Sequence, residues 1–122
     1  MQLRRRTKLL FDGRLVGSRF YCCVYCRNIV ALHDDIVVKN FTSGTGRAFL
    51  FSHAMNILEG PKQVRWLITD IHMVADIYCS NCREVLGWKY EQAYRQENKF
   101  KDGKFVLDKF KITKAVESPL HL

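Results

Sequence analysis

Two pairs of cysteines, each pair separated by two residues, are the side chains of this chain best suited to chemistry. The first pair is Cys23 and Cys26, the second is Cys79 and Cys82, and 52 residues lie between the pairs. Each C-x-x-C sequence can place two thiolates on one side of a tight turn, and two such turns supply the four sulfurs of a tetrahedral zinc site. We therefore predict one structural Zn²⁺, bound by these four cysteines, that joins distant segments and closes a domain.

The two cysteine pairs favour a structural metal over a reactive site. A shell of four cysteines leaves no position for water or substrate. The alternative is a redox dithiol, but no βαβ pattern surrounds either pair. Cys22 points away from Cys23 in a strand and is expected to be a small buried residue. Arg27 and Arg83 each follow the second cysteine of a pair, and we expect them to offset part of the charge of the four thiolates.

The length and charge of the chain set further limits. With 122 residues and a net charge of +8, we expect one domain. We predict a flexible basic leader over 1–18, the zinc-binding domain over 19–114 and a tail over 115–122. The sequence contains no apolar run long enough for a membrane span, and it has no apolar segment near its start of the kind found in a secretory signal. We therefore expect an intracellular protein, where thiols stay reduced and bind metal.

The basic ends of the chain leave more than one interpretation open. Residues 1–20 carry six Lys or Arg against one Asp, including the run Arg4, Arg5 and Arg6. Such charge attracts nucleic acid or an acidic protein surface, and an arginine run is also typical of a nuclear-import element. The simpler interpretation is that the charge keeps a small protein soluble.

The elements that must position the cysteines are predicted to be β-strands. Short apolar and β-branched runs alternate with Gly, Asn, Asp and Pro, which is typical of an all-β domain with at most one short helix, here Glu91–Lys99. Turns are predicted at Ser43–Gly46, at Glu59–Pro61 and, with positive φ at an Asp-Gly pair, at Lys101–Lys104. The predicted strands are Phe20–Val24, Ile36–Phe41, Arg47–Phe51, Met55–Leu58, Val64–Thr69, Ile71–Cys79, Val85–Tyr90 and Phe105–Ile112.

The spacing of these residues resembles a known family. The pattern runs from the first cysteine pair through Gly46, Leu50 and Asn56 to the second pair, and then through Gly87-Trp88-Lys89-Tyr90 to Lys101. Over roughly 20–110 this is similar to the yippee family of small zinc-binding proteins, and most similar to the short plant yippee-like proteins. The resemblance implies a β-tent fold, in which two antiparallel sheets are pinned by a Cys₄ zinc site.

The resemblance also implies two functional hypotheses, because the β-tent is shared with the thalidomide-binding domain of cereblon and with methionine sulfoxide reductase B. The reductases carry a catalytic cysteine beyond the second zinc pair, and no cysteine follows Cys82 here. The cereblon-type domain has an aromatic cage at the positions of Trp88 and Tyr90. With His72, these residues could line a groove for a small ligand or peptide, or they could simply pack in the core.

These observations together predict a zinc-stabilised module that is not an enzyme. No paired carboxylates, activated nucleophile or phosphate-binding glycine loop is present in the sequence. We expect a protein-interaction or regulatory role in the nucleus or cytoplasm, with protein partners that the sequence does not identify. The alternatives are a nucleic-acid-binding module that uses the basic ends and a ligand or peptide binder that uses the aromatic groove.

Overall fold

The computed structural model describes residues 2–4, 19–43, 46–67 and 70–116. Ten strands lie within these ranges: β1 (Gln2–Arg4), β2 (Arg19–Cys23), β3 (Ile29–Leu32), β4 (Ile36–Ser43), β5 (Gly46–Phe51), β6 (Ile57–Leu67), β7 (Asp70–Cys79), β8 (Val85–Ala93), β9 (Phe105–Asp108) and β10 (Ile112–Val116). The helical segments in these ranges are two 3₁₀ turns, His33–Asp35 and Gln96–Lys101. None of the described helices is long or apolar enough to cross a membrane.

The strands form two antiparallel sheets. The larger sheet has seven strands in the order β1-β6-β7-β8-β9-β5-β4, and the smaller has three in the order β10-β2-β3. Every strand pair is antiparallel. The all-β fold with two antiparallel sheets and a clustered cysteine site is therefore confirmed.

The main core lies where the small sheet packs on the large one. It contains Tyr21 and Val30 from the small sheet and Phe51, Ile77 and Phe105 from the large one, and the sulfurs of Cys23 and Cys79 are buried within it. On β7, residues of both alternating faces are buried, including Ala75 and Ile77 on one side and His72 and Val74 on the other. The middle of this sheet is therefore covered on both faces.

A glycine allows two strands of the large sheet to approach closely. A Cβ atom on Gly87 would lie 1.8 Å from the carbonyl oxygen of Val106, on the neighbouring strand β9. No side chain can be accommodated at that distance, so the strand pairing itself requires glycine at this position of the Gly87-Trp88-Lys89-Tyr90 segment.

Several predicted elements were wrong in detail. The turn predicted at Glu59–Pro61 lies inside β6, where the register with β7 shifts between Glu59 and Lys62. Pro61 is tolerated there because β6 is paired on its outer side only over Ile57–Glu59, so the missing N–H interrupts no described ladder. At the position of the predicted turn the strand therefore continues through a β-bulge.

The C-terminal part of the chain also differs from the prediction. The predicted helix Glu91–Lys99 was wrong in its first half, because β8 continues to Ala93 and only Gln96–Lys101 is helical. The predicted strand Phe105–Ile112 ends at Asp108 in β9, and only its last residue, Ile112, lies in β10, which belongs to the other sheet and was otherwise missed. Strand β3 was missed altogether. Gly103 has the positive φ, 78°, that the Asp-Gly sequence predicts.

The predicted limits of the domain can be compared with the described strands. Gln2–Arg4, in the predicted leader, pairs with β6, and β10 runs to Val116. The rest of the predicted leader before Arg19, including Arg5 and Arg6, and the chain from Glu117 lie outside the described residues, as do Gly44 and Thr45 of the first predicted turn. The division into leader, domain and tail stays a prediction.

Candidate metal centre

The four predicted sulfurs meet at the junction of the two sheets. Cys23 ends β2 and Cys79 ends β7, so each C-x-x-C forms the turn of a hairpin, one hairpin in each sheet. The Sγ atoms of Cys23 and Cys82 are 3.6 Å apart, those of Cys26 and Cys79 are 3.5 Å apart, and all four lie within 4.8 Å of one another. Cysteines 53 to 59 positions apart in the chain are thus adjacent in space.

These distances fit a tetrahedral thiolate site. Four sulfurs at about 2.3 Å from a central Zn²⁺ are separated from one another by about 3.8 Å. The cysteines are free thiols. A set of four sulfurs is a donor set that zinc prefers, and it completes the coordination of the ion without water. The four cysteines could therefore hold a metal ion, and ligation by each of them stays a prediction.

The two turns have the same backbone geometry. In the first, the Cys23 N–H donates to the Asn28 carbonyl and the Arg27 N–H donates to the Cys23 carbonyl, at 2.8 and 2.9 Å. In the second, the Cys79 N–H donates to the Glu84 carbonyl and the Arg83 N–H donates to the Cys79 carbonyl, both at 2.9 Å. The two halves of the site are therefore structural repeats contributed by different sheets.

Both arginines predicted to support the metal occupy an unusual backbone position. Arg27 and Arg83 have φ angles of 69° and 70°, in the left-handed region, and both side chains are exposed. The left-handed conformation turns the chain back after the second cysteine of each pair. A contribution of the guanidinium groups to metal binding stays a prediction.

Two asparagines connect the halves of the site, and the sequence analysis predicted a role in the site for neither of them. The Asn28 side-chain amide donates to the sulfur of Cys79 at 3.3 Å and to the carbonyl of Asn56 at 3.1 Å. The Asn56 side chain donates to the Ile29 carbonyl at 2.8 Å, and the Asn56 carbonyl accepts from the Ser80 N–H at 3.0 Å. Asn28 thus donates to a sulfur of the opposite turn, and the signal available in the sequence was its place two residues after Cys26.

The surroundings of Cys23 and Cys26 shift the pKa values of these two thiols in opposite directions. Burial raises the pKa of Cys23 to about 12. Burial also acts to raise the pKa of Cys26, but hydrogen bonds from the Asn81 side chain and the Asn28 backbone outweigh it and lower this pKa to about 6. Without a metal, Cys23 is therefore protonated at neutral pH, and a bound cation must displace its proton. Burial likewise raises the pKa of Cys22, as expected for an inert buried thiol.

The residues of the predicted groove also lie together, on the face of the large sheet away from the small sheet. The Tyr90 ring centroid is 5.0 Å from that of His72 and 6.2 Å from that of Trp88. All three are buried, with His72 1% and Trp88 9% exposed. Trp88 also lines an open cleft of about 270 Å³ with Arg65, Asp76 and Lys111 among its walls.

The polar atoms of this aromatic cluster are not satisfied by the described residues. The two ring nitrogens of His72 and the indole nitrogen of Trp88 make no well-aligned hydrogen bond to a described residue. The Asp70 backbone lies near the His72 ring, and the Tyr90 hydroxyl lies near the Trp88 indole. Burial lowers the pKa of His72, and the Lys101 ammonium lowers it further, so the ring is neutral at pH 7. Buried nitrogens without partners are costly and are usual where a water or ligand binds.

Comparison with known proteins identifies the family. A family model described as "Yippee zinc-binding/DNA-binding/Mis18, centromere assembly" matches residues 19–117. The chain belongs to the yippee family. A yippee-like protein of Arabidopsis thaliana is 60% identical over 102 residues, which cover 84% of this chain and 96% of the relative.

Animal yippee proteins and a solved structure are also similar. Yippee-like 3 proteins of Danio rerio and Homo sapiens are 50% and 47% identical over 90 residues, covering 74% of this chain and 76% of each relative. The crystal structure of the Mis18 "Yippee-like" domain matches with a TM-score of 0.66 at 16% identity, covering 80% of this chain and 95% of that domain. This last likeness concerns the fold alone. The family model and the identity to the yippee-like proteins confirm the yippee resemblance inferred from the cysteine and tryptophan spacing.

Replacing Asn28 tests whether the contact across the two turns matters for the metal. Asn28→Ala removes a hydrogen bond to a thiolate and the link to Asn56, so we expect zinc affinity to fall about 10–100-fold. Competition with a chromophoric chelator measures this affinity. Asn40→Ala, on the exposed part of β4, is the matched control and should bind zinc like the unaltered chain. Equal affinities for both variants would contradict this role of Asn28.

Proposed function

We propose that this yippee protein is a non-enzymatic interaction module in which one structural Zn²⁺ fixes the surface that a partner protein recognises. The observation that carries the proposal is the closed set of four sulfurs within 4.8 Å of one another, since a zinc ion held by four cysteines has no position for a substrate. The metal then acts by holding the two hairpins, and the exposed residues around it become a defined surface.

The surface next to the sulfurs is suited to protein contacts. Val24 and Tyr25, in the first turn, and Val85, after the second, are 42%, 56% and 41% exposed. Lys111 connects the two turns, because its ammonium lies 3.5 Å from the Tyr25 hydroxyl and 3.6 Å from a Glu84 carboxylate oxygen. We call Val24, Tyr25, Val85 and Lys111 the zinc-end surface. Apolar side chains beside a cation and an open cleft are typical of a docking site for a protein segment.

The location that we propose is the nucleus or cytoplasm, where a zinc thiolate site is stable in a reducing environment. This proposal is supported by the basic charge of the chain and by its five free cysteines. The family description includes both DNA binding and centromere assembly, so a nucleic-acid partner is the natural competitor of a protein partner.

Affinity capture with matched surface variants tests the interaction role. Full-length, zinc-loaded protein is used as bait in nuclease-treated extract of the native cell, and captured proteins are quantified by mass spectrometry. We expect specific partners to be lost at least about tenfold with the double variant Tyr25→Glu and Val85→Glu, because two charges are placed on apolar contacts. Tyr94→Glu and Val116→Glu, at similarly exposed sites elsewhere, should keep them.

The outcome also separates the competing functions. Proteins that are captured from a parallel untreated extract and lost from the nuclease-treated one would favour the nucleic-acid alternative. The protein-interaction proposal is wrong if both double variants capture the same proteins as the unaltered bait, or if no protein exceeds an unrelated control bait.

A ligand-binding role for the groove of His72, Trp88 and Tyr90 is the second candidate, supported by the buried nitrogens of His72 and Trp88, to which the described residues offer no well-aligned hydrogen bond. The chain has two tryptophans, so Trp66→Phe leaves Trp88 as the single reporter. In that background, members of a fragment library that bind the groove should shift Trp88 emission. The shift should be lost in His72→Phe, which keeps the ring shape without the polar atoms.

The same experiment can reject the groove. If no fragment changes Trp88 emission, or if His72→Phe binds the same fragments equally well while its stability rises, the three residues are packing residues. A rise in stability is the result expected when unpaired buried nitrogens are simply removed.

A further inference from the structure

Three rings form a small aromatic group where the two sheets meet. Tyr21 belongs to the small sheet, His33 directly follows β3, and Phe49 belongs to β5 of the large sheet. The Tyr21 ring centroid lies 6.0 Å from that of His33 and 5.2 Å from that of Phe49. A hydrogen bond of 3.1 Å joins the Tyr21 hydroxyl to Nδ1 of His33, so Nε2 is the ring nitrogen that can bind another group.

Two cations of the small sheet lie beside Tyr21. Lys114 of β10 is directly opposite Tyr21, and Arg19 is two residues before Tyr21 on β2, so the three side chains are on one face of the sheet. Lys114 and Arg19 are both exposed. Neither forms an ion pair with a carboxylate of the described residues, so both charges are available to a partner.

Two further cations approach the same rings from the side of the large sheet. The Lys109 ammonium lies 4.5 Å from the centroid of the Phe49 ring. Arg47 is two residues before Phe49 on β5, so its exposed side chain is on the same face as Phe49. The Arg47 carbonyl accepts from the Lys109 N–H at 3.1 Å, which holds the two cations close together. In the described part of the chain, neither Lys109 nor Arg47 is paired with a carboxylate.

His33 lies within the field of cations from three strands. Partial burial lowers the pKa of His33, and the charges of Arg19, Lys114 and Lys39 lower it further. Asp34, which raises this pKa, has the smallest of these effects. Cations on β2, β4 and β10 therefore act on the ring without a matching negative charge.

Five cations thus surround the three rings, and we call them the basic cluster: Arg19, Lys39, Arg47, Lys109 and Lys114. We propose that the basic cluster is a phosphate-binding site for a phosphorylated side chain of a protein segment, with Nε2 of His33 as a further donor. A phosphate ester carries about −1.5 to −2 charges at pH 7 and three strong acceptor oxygens, which suit several cations around one point. This inference goes beyond the proposed function, because it concerns a second surface. Arg19 begins β2, whereas Cys23 ends it.

The exposure of the rings favours a phosphorylated protein over a nucleic acid. Binding of a single strand needs exposed rings on which successive bases stack, along a groove of cations. Tyr21 is only 6% exposed, and the Lys109 ammonium lies over the Phe49 ring. Phe110, next to Lys109, is 74% exposed, and this single ring suits one apolar side chain beside a phosphorylated residue.

Inorganic phosphate and NMR of the full-length, zinc-loaded protein test the site itself. At constant ionic strength, the imidazole signals of His33 should move and then saturate as phosphate is added, because the anion binds next to Nε2. His53 is the control within the same chain, since its Nδ1 lies 3.8 Å from a carboxylate oxygen of Asp35, which repels an anion. Its signals should stay in place.

A peptide library tests the class of partner, with each peptide presented with phosphoserine, with phosphothreonine and without phosphate. We expect a set of peptides that bind at least about tenfold more tightly when phosphorylated. The double variant Arg19→Gln and Lys114→Gln should lose this preference. The matched control, Arg95→Gln and Lys62→Gln, removes the same charges from side chains that are 61% and 64% exposed elsewhere, and it should keep the preference.

Circular dichroism and zinc content show that each variant is folded. The proposal is overturned if phosphate leaves the His33 signals in place, if no peptide is bound more tightly when phosphorylated, or if the two double variants behave alike. It is also overturned if a thymidine oligonucleotide binds the basic cluster more tightly than every phosphopeptide, which would assign the site to nucleic acid. None of these results bears on the zinc-end surface, because Tyr25 and Val85 are unchanged in every variant.

Discussion

The contact on which the rest of this structure depends is the meeting of four sulfurs from two hairpins. The hairpin of β2 and β3 carries Cys23 and Cys26, and the hairpin of β7 and β8 carries Cys79 and Cys82, so the cluster joins the small sheet to the large one. The core below the cluster is built from both sheets. A metal bound at this junction would add stability that the core of a small domain cannot supply alone, because its binding free energy is coupled to folding.

Many local features follow from this junction. The left-handed backbone at Arg27 and Arg83 gives the two turns equal geometry, and Asn28 and Asn56 join them by hydrogen bonds. The zinc-end surface is made of residues within the turns or in contact with them, so its shape depends on how the two turns are held together. The aromatic cluster depends on it less directly, because Trp88 and Tyr90 belong to a core cluster separate from the one that contains the cysteines.

The sequence predicted the site better than the detailed fold. The C-x-x-C spacing identified the four sulfurs, because cysteine pairs have few other uses in such a chain. Asn28 could not be selected, since a polar residue after a turn has many roles and its contact with Cys79 is created only by the three-dimensional arrangement. The turn at Glu59–Pro61 and the helix at Glu91–Lys99 failed for a related reason. Pairing with β7 overrode the local preference of Gly60-Pro61, and it carried β8 through Glu91 to Ala93. Strand β3 was missed because Ile29–Leu32 is short and continuously apolar, and such a run shows no alternation.

The most direct measurement of the central claim is thermal unfolding before and after metal removal, made on the reduced full-length protein with metal analysis of each sample. A structural zinc in a site of this kind contributes about 10–16 kcal/mol of apparent binding free energy, which is comparable with the whole stability of a small domain. We expect one zinc per chain, loss of the cooperative transition on treatment with a strong chelator, and its recovery on addition of zinc. A folded, reduced preparation without zinc, or a transition that is unchanged after the metal is removed, would contradict the account.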